Sequence, residues 1–207
     1  TKVVEELGLE MPETWDDLLD PAYEDNIAMA HPASSGTAYT TFYTQVLRLG
    51  SEEAAMEYAK ELHPNILQYT KSGSASGPMA GRGEIAVSII FSHDCIANID
   101  EGFEDLAVVF PADGTGYEIG AQALIANAAH PNNAKTWIDW ALQADTQSIG
   151  PEVRAFQLPT NPDAEVSEFA VDISQVNLVD YDFQGAGEAR TRLTEQFEDE
   201  VAAAPEE

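Results

Sequence analysis

Four short apolar runs, each bounded by polar or turn-forming residues, predict buried β-strands at residues 26–30, 66–69, 84–91 and 106–110. The segments between these runs have the amphipathic spacing and the end signals of helices. Strands that alternate with helices form a mainly parallel sheet with helices on both faces. The expected fold class is therefore α/β.

Local signals mark the helix ends. Thr14 and Asp17 have the spacing of a capping-box variant, with a carboxylate at the third helical position. The helix expected at residues 37–49 ends at Gly50, and Ser51 caps the next helix. In the second half we expect an extended segment at residues 117–126, a helix at 133–143, mostly irregular structure at 159–187 and an amphipathic helix at 187–204.

A turn-rich break divides the chain. Residues 111–116 read Pro-Ala-Asp-Gly-Thr-Gly, a composition typical of turns between compact units. We therefore expect residues 1–113 to form one complete α/β lobe that carries the binding loops. Residues 114–207 would belong to part of a second lobe and include its C-terminal helix.

Charge limits the partners. The chain has 37 Asp and Glu residues against 9 Lys and Arg residues, a formal net charge of −28, yet 9% of its residues are aromatic. A disordered acidic chain would be poor in aromatic residues, so a folded protein with a solvated acidic shell is indicated. Such a shell is typical of proteins from salt-saturated (halophilic) environments, where salt screens the repulsion. Nucleic acids require clustered basic residues, so no nucleic acid partner is expected.

Other features exclude further classes of protein. Cys95 is the single cysteine, which excludes an internal disulfide and a cysteine-based zinc site. No apolar run approaches the roughly 20 residues that a membrane-spanning helix needs. No signal peptide is visible and Thr1 lies in an expected helix, so we expect the start of the natural protein to be missing.

Loops at predicted strand ends carry the candidate chemistry, because ligands of open α/β sheets bind at the carboxyl ends of the strands. The first loop contains Ser34, Ser35, Gly36 and Thr37 and leads into a helix. Free N–H groups and the helix dipole make such a helix start a seat for an anion. The alternative is that Ser34 or Ser35 serves only as a helix N-cap.

The second loop repeats this chemistry with Lys71, Ser72, Gly73 and Ser74, and Lys71 is one of four lysines in the chain. An ordinary flexible loop with a surface lysine is an equally good interpretation of this stretch. Two such loops at successive strand ends favour one shared anion site, since both would open at the same edge of the sheet.

A third loop places His93 and Asp94 directly after the strand expected at residues 84–91. These side chains can hydrogen-bond the hydroxyl groups of a ligand, whereas two residues alone supply too few ligands for a metal. Glu118, which follows Tyr117 after the glycine-rich turn, is a fourth candidate polar group. The alternative for Glu118 is an exposed carboxylate on a strand.

The chain resembles the type II solute-binding proteins of ferric-iron-type ABC importers. The resemblance rests on the motifs TWDDLLDP (14–21), IAM (27–29), PASSGT (32–37), GEIAV (83–87), GTGYEIG (114–120) and PTNP (159–162). It implies the periplasmic-binding-protein type II fold, in which two α/β lobes joined by a hinge close on a ligand. Residues 1–113 would be the second lobe, and residues 114–207 the C-terminal part of the first.

The same resemblance implies a ligand class. Iron-binding members carry a tyrosine pair after the strand that corresponds to residues 84–91, where this chain has His93 and Asp94, so it is most similar to the hexose-phosphate-binding branch. Organophosphonate-binding relatives share the phosphate seat. By this resemblance the phosphate is seated by Ser34, Ser35, Gly36 and Thr37, with residues 71–74 as an addition, and sugar hydroxyls are held by His93, Asp94 and Glu118.

The resemblance thus implies the extracellular or periplasmic solute-binding component of an ABC importer. It would act as a monomer, bind a small phosphate ester without cofactor or metal, deliver it to a membrane permease, and be anchored to the cell surface through the missing N-terminal region. The alternatives are a ferric-iron-binding protein that uses other tyrosines, such as Tyr117, and the ligand-sensing domain of a signalling protein. Catalysis is not expected, because no nucleophile motif or metal cluster accompanies His93 and Asp94.

Overall fold

The structure is a computed structural model that describes residues 1–205, and its contacts divide the chain into two compact units. The first unit consists of Thr1–Tyr117 and Asp172–Glu207, and the second of Glu118–Val171. The division into lobes at residue 113 stays a prediction.

The regular elements alternate between helix and strand in the first half of the chain. In chain order they are α1 (Lys2–Glu6), β1 (Ile27–Ala30), α2 (Gly36–Leu49), α3 (Glu52–Leu62), β2 (Ile66–Thr70), α4 (Gly77–Gly81), β3 (Val87–Ile89), α5 (Ser92–Asp100), α6 (Pro131–Ala141), α7 (Ala144–Gln147) and α8 (Phe183–Glu200). Short 3-10 turns occur at Asp16–Leu19, Pro21–Tyr23, His63–Asn65, Gly150–Val153 and Ile173–Gln175.

The sheet of the first unit has three parallel strands in the order β2-β1-β3. In the central strand β1, Ile27 lies opposite Ile66 of β2 and Val87 of β3, and all four residues of β1 are buried. The predicted α/β class with a parallel sheet is confirmed. Because the strands are parallel, the loops that follow all three leave the same edge of the sheet.

Two predicted strands differ from the observed ones. The strand expected at residues 84–91 shortens to Val87–Ile89. At its start, the N–H groups of Ala86 and Val87 both donate to the carbonyl oxygen of Asn26. The strand expected at residues 106–110 is absent. Apolar character alone does not make a strand, and this segment has no ladder partner within residues 1–205.

The predicted caps form the helix ends. Ser35 and Ser51 accept hydrogen bonds from the backbone N–H groups three residues later, and Gly50 ends α2 in the left-handed conformation, at φ 80°. Thr14 and Asp17 form the reciprocal pair of a capping box: the Asp17 carboxylate accepts the Thr14 N–H at 2.8 Å, and the Thr14 hydroxyl accepts the Asp17 N–H at 3.3 Å.

The C-terminal helix α8 begins earlier than the predicted residue 187. It starts at Phe183, because the Asp182 carboxylate accepts the Gly185 N–H at 2.9 Å and caps the helix there. Its apolar face is completed by Leu193 and Phe197, which are almost fully buried. α8 therefore belongs to the core of the first unit.

Two apolar clusters form that core. One joins the sheet to the segment before it, with Trp15, Tyr23 and Ile27 among its buried residues. The other joins α2 and α3 to α8 and includes Phe42 and Phe197. Together they give the strand ends a rigid support.

The second unit is less regular. It contains α6 and α7, and Phe156 is a buried aromatic residue within it. The rings of Trp137 and Trp140 contact each other in a tilted arrangement, with centroids 4.8 Å apart, yet 60% and 43% of their surfaces are exposed. No helix within residues 1–205 combines the length and the apolar character that a membrane crossing requires.

Candidate ligand-binding site

The first binding loop lies between β1 and α2. Ser35 is buried and caps α2 by accepting the Ala38 N–H at 3.4 Å, so the N-cap interpretation holds for this serine. The N–H groups of Gly36 and Thr37 have no hydrogen-bond partner within the described chain. These two N–H groups, at the start of a 14-residue helix, can donate hydrogen bonds to an anion, and the helix dipole favours that anion.

Ser34 has a different role from Ser35. Its hydroxyl donates to the carbonyl oxygen of His31 and to that of Lys71, each at 3.2 Å. The second contact ties the first loop to the second. Ser34 is therefore a link between the two loops rather than a helix cap.

The second loop, between β2 and α4, packs directly on the first. A methyl group added at Gly73 would lie 2.7 Å from the Thr37 Cβ and 3.0 Å from the Ser35 Oγ. Real side-chain contacts are longer, so only glycine allows this approach. The structure thus brings together the two predicted serine and glycine loops.

The second loop is held by a buried serine at its end and offers N–H groups for hydrogen bonding at its start. Its last serine, Ser76, is fully buried and its hydroxyl lies 2.7 Å from that of Ser88 on β3. The N–H groups of Ser72, Gly73 and Ser74 have no hydrogen-bond partner within residues 1–205. This loop therefore adds further free donors beside α2.

Charge favours an anion at this place despite the acidic chain. Residues 26–51 and 62–83, which contain both loops, include no Asp or Glu. Lys71 is exposed and forms no ion pair in the described part of the chain, whereas Arg48, Lys60 and Arg192 are all paired with carboxylates. The two loops thus carry one lysine and no carboxylate of their own, which favours an anion.

His93 and Asp94 lie in the first turn of α5, which follows β3 at the same edge of the sheet. Their side chains are 25% and 28% exposed, and His93 Nε2 lies 3.7 Å from Asp94 Oδ1. The His93 ring stacks on Phe91, with centroids 5.5 Å apart. The contact with Phe91 therefore holds the His93 ring in place, and both polar side chains stay accessible to a ligand.

Cys95, the next residue, does not suit catalysis. Burial, followed by the charge of Asp94, raises the pKa of the Cys95 thiol. The thiol stays protonated near neutral pH, and a protonated thiol is a poor nucleophile. Within residues 1–205, no group of three or more His, Cys, Asp and Glu residues is placed to hold a metal ion.

Tyr117 and Glu118 lie on either side of the division between the units. Tyr117 packs in the first unit against Tyr181 and Phe183, with ring centroids 6.2 and 5.5 Å away. Glu118 is exposed and belongs to the second unit. The ligand-binding roles of Tyr117 and Glu118 stay predictions.

His31, which precedes the first loop, is not among the residues predicted from the sequence. Its side chain is fully buried and bonds to Ala33 and to Ala202. The available signal was a histidine at the end of the apolar run of β1, directly before Pro32. Its distant partner Ala202 had no signal in the sequence.

Comparison with known proteins identifies the class. Residues 4–184 match the family of bacterial extracellular solute-binding proteins, and the chain belongs to this family. It is 39% identical to an uncharacterized protein of Haemophilus influenzae over 99% of this chain and 60% of that protein.

Two solved structures are similar over nearly the whole chain. The periplasmic binding protein AfuA from Actinobacillus pleuropneumoniae, solved with exogenous fructose-6-phosphate bound, is 40% identical with a TM-score of 0.91, over 97% of this chain and 63% of AfuA. The periplasmic binding protein P5PA is 37% identical with a TM-score of 0.90, over 97% and 64%. The chain therefore spans about three fifths of the length of these relatives.

These matches confirm the predicted resemblance to the type II solute-binding proteins and the periplasmic-binding-protein type II fold. They also confirm the predicted class, a substrate-binding protein rather than an enzyme.

Proposed function

We propose that the protein is the solute-binding component of an ABC importer and binds a small phosphate ester, such as a hexose phosphate, for delivery to a membrane permease. The observation that carries this proposal is the pair of contacting loops at one sheet edge. Together they offer free N–H groups at Gly36, Thr37 and residues 72–74, with Lys71 beside them and no carboxylate in either segment. This donor set suits a phosphoryl group, which accepts several hydrogen bonds at once.

The sugar part of the ligand would bind at the start of α5. His93 and Asp94 are half-buried polar groups that can donate to and accept from hydroxyl groups. We also propose that Glu118 hydrogen-bonds sugar hydroxyl groups. AfuA, at 40% identity, was solved with fructose-6-phosphate bound, which supports a phosphorylated sugar over a simple anion.

The remaining parts of the proposal concern the whole protein. We infer a monomer outside the cytoplasmic membrane, held at the cell surface by a segment before Thr1. Residues 1–113 would form the second lobe and residues 114–207 the C-terminal part of the first. The rest of the first lobe would come from the length that this chain lacks relative to its relatives.

Isothermal titration of the full-length protein at high salt tests the proposed function. We expect glucose 6-phosphate to bind more tightly than inorganic phosphate, and glucose to bind weakest, because the phosphoryl group makes most of the charged hydrogen bonds. A response to ferric iron without any response to phosphate esters would overturn the proposal in favour of iron binding.

A further inference from the structure

His31 is a buried polar residue at the base of the first binding loop. It directly follows β1, and its side chain is fully buried. Its Nδ1 lies 3.1 Å from the backbone nitrogen of Ala33, and its Nε2 lies 2.8 Å from the carbonyl oxygen of Ala202. The imidazole therefore bridges the binding loop and the residues that follow α8.

The two partners determine the tautomer of the ring. A backbone N–H can only donate, so Nδ1 must accept from Ala33 and carry no proton. A carbonyl oxygen can only accept, so Nε2 must carry the proton that it donates to Ala202. His31 is thus held as the neutral Nε2–H tautomer, with both nitrogens satisfied.

The backbone of His31 shapes the same loop. Its carbonyl oxygen accepts the N–H groups of Ser34 and Ser35 at 3.1 and 3.0 Å, as well as the Ser34 hydroxyl. Its N–H donates to the carbonyl oxygen of Thr70 at 2.9 Å, at the end of β2. The polar groups of His31 therefore help to fix the course of the chain that leads from β1 to α2, where the N–H groups of Gly36 and Thr37 lie.

Aromatic packing keeps the ring in place. Tyr69 and Phe197 contact it edge-on, with ring centroids 5.7 and 5.1 Å away. Phe197 also accepts the Ala202 N–H at its carbonyl oxygen, at 3.1 Å. The turn that ends α8 thus presents the Ala202 oxygen to the imidazole.

We propose that His31 is the positioning residue of the phosphate-binding loop, and that the segment after α8 sustains ligand affinity by holding its imidazole through Ala202. This inference rests on the proposed function for its ligand. The physical reason is preorganisation: a loop already held in its bound shape loses less freedom when it binds the anion.

Three substitutions in the full-length protein separate the two imidazole bonds. Asparagine places its amide oxygen near the position of Nδ1, so His31→Asn keeps the bond from Ala33. Glutamine places its amide nitrogen near Nε2, so His31→Gln keeps the bond to Ala202, and His31→Phe keeps neither. We expect His31→Asn and His31→Gln, which each lose one of the two bonds, to bind glucose 6-phosphate several-fold more weakly than the wild type, and His31→Phe, which loses both, to bind about tenfold more weakly.

The matched control is His63→Phe. His63 is exposed and stacks on Tyr69, at 5.8 Å between ring centroids, so the same exchange there leaves the loop bonds intact. Wild-type affinity is expected for this variant. A chain that ends after Glu200 lacks Ala202 and is expected to bind as weakly as His31→Asn, which loses the same bond.

Hydrogen exchange of the Ala33 amide gives a readout that needs no ligand. We expect the slowest exchange in the wild type, intermediate exchange in His31→Asn and in the shortened chain, and the fastest exchange in His31→Phe. Unchanged exchange in His31→Phe, or wild-type affinity in that variant, would overturn the positioning role. If the wild type binds no phosphate ester, the proposed function is wrong, and the exchange rates still decide whether His31 orders the loop.

Discussion

The Ser34 hydroxyl donates a hydrogen bond to the main-chain oxygen of Lys71 at 3.2 Å, and so joins two loops that lie 37 residues apart in the sequence. Each loop contributes only two or three free N–H groups, within the described chain, to the edge of the sheet. The proposed anion site is complete only when both loops are held side by side. Its affinity should therefore depend on the packing between the loops as much as on the donors themselves.

The first prediction concerns Gly73, where the loops approach most closely. Gly73→Ala places a methyl group 2.7 Å from the Thr37 Cβ, so the second loop must move away from α2. We expect an affinity for glucose 6-phosphate that is lower by about tenfold or more, because misplaced donors no longer converge on one phosphoryl group. Isothermal titration measures the change.

Gly187→Ala is the matched control for this glycine. Gly187 lies in α8, and an added methyl group there meets nothing within 4 Å. This variant should bind normally and unfold at higher denaturant, with a gain of up to about 1 kcal/mol from helix propensity. Normal binding by Gly73→Ala would show that the loop contact has no role in affinity.

The second prediction concerns the charge of Lys71. Lys71→Gln should weaken phosphate-ester binding about fivefold to tenfold, and the loss should shrink as salt is added, because Lys71 is exposed. Lys135→Gln makes the same change in net charge on α6 and should have no such effect. Equal losses in the two variants would point to net charge alone.

The third prediction separates sugar recognition from phosphate recognition. Asp94→Asn removes a charged acceptor at the start of α5, so glucose 6-phosphate should bind more than tenfold more weakly. Inorganic phosphate, which has no sugar hydroxyls, should bind as to the wild type. Asp25→Asn, before β1 and therefore at the opposite edge of the sheet, should change neither affinity. An equal loss of affinity for both ligands would indicate that Asp94 contacts the phosphate rather than the sugar.

The fourth prediction concerns the stability of the first unit. The Arg48 side chain is 9% exposed, and it donates to Asp113 at 2.9 Å, to Asp16 at 3.0 Å and to the amide oxygen of Gln45 at 2.8 Å. Its guanidinium also lies over the Tyr58 ring, 5.1 Å from the centroid. Arg48→Met should lower the free energy of unfolding by about 3 kcal/mol, since it leaves the half-buried Asp113 carboxylate unpaired.

Urea unfolding at constant high salt measures this loss. Arg82→Ala is the control, because the ion pair of Arg82 with Glu84 is exposed and should contribute little. If Arg48→Met is as stable as Arg82→Ala, the polar contacts of Arg48 do not stabilise the fold.

The fifth prediction is a pH dependence that originates at Asp17. Hydrogen bonds from the N–H groups of Glu13 and Thr14 lower the pKa of the Asp17 carboxyl in the folded protein. The ionised group therefore stabilises the fold above the unfolded pKa, about 3.9 for aspartate. That contribution is lost as the pH falls below this value and through the lower folded pKa.

Asp17→Asn should consequently flatten the acid limb of stability measured by urea unfolding. The side chain of the exposed residue Glu195 on α8 has no hydrogen-bond partner in the described part of the chain, so Glu195→Gln should leave that limb unchanged. An acid limb in Asp17→Asn that is as steep as in the wild type would contradict the prediction.

Local signals explain most of what could be predicted. Ser35, Gly50 and Ser51 mark helix ends through bonds to residues within four positions, so the sequence reveals them directly. The strand expected at residues 106–110 shows the limit of this reasoning. An apolar run favours a strand, but a strand forms only where another backbone lies alongside it, and that is a property of the whole fold.

By itself, the sequence determined the parallel α/β character, the helix caps and the serine and glycine loops after β1 and β2, because these features depend on periodicity and on neighbouring residues. The loop predicted for His93 and Asp94 is instead the first turn of α5. Only the tertiary structure decided that Gly73 rests against Thr37 and that Ala202 reaches the ring of His31. His31 and Ala202 are 171 residues apart, and no local preference encodes such a contact. The packing of α8 on the core brings them together, which is why the residue that shapes the binding loop is found from the fold alone.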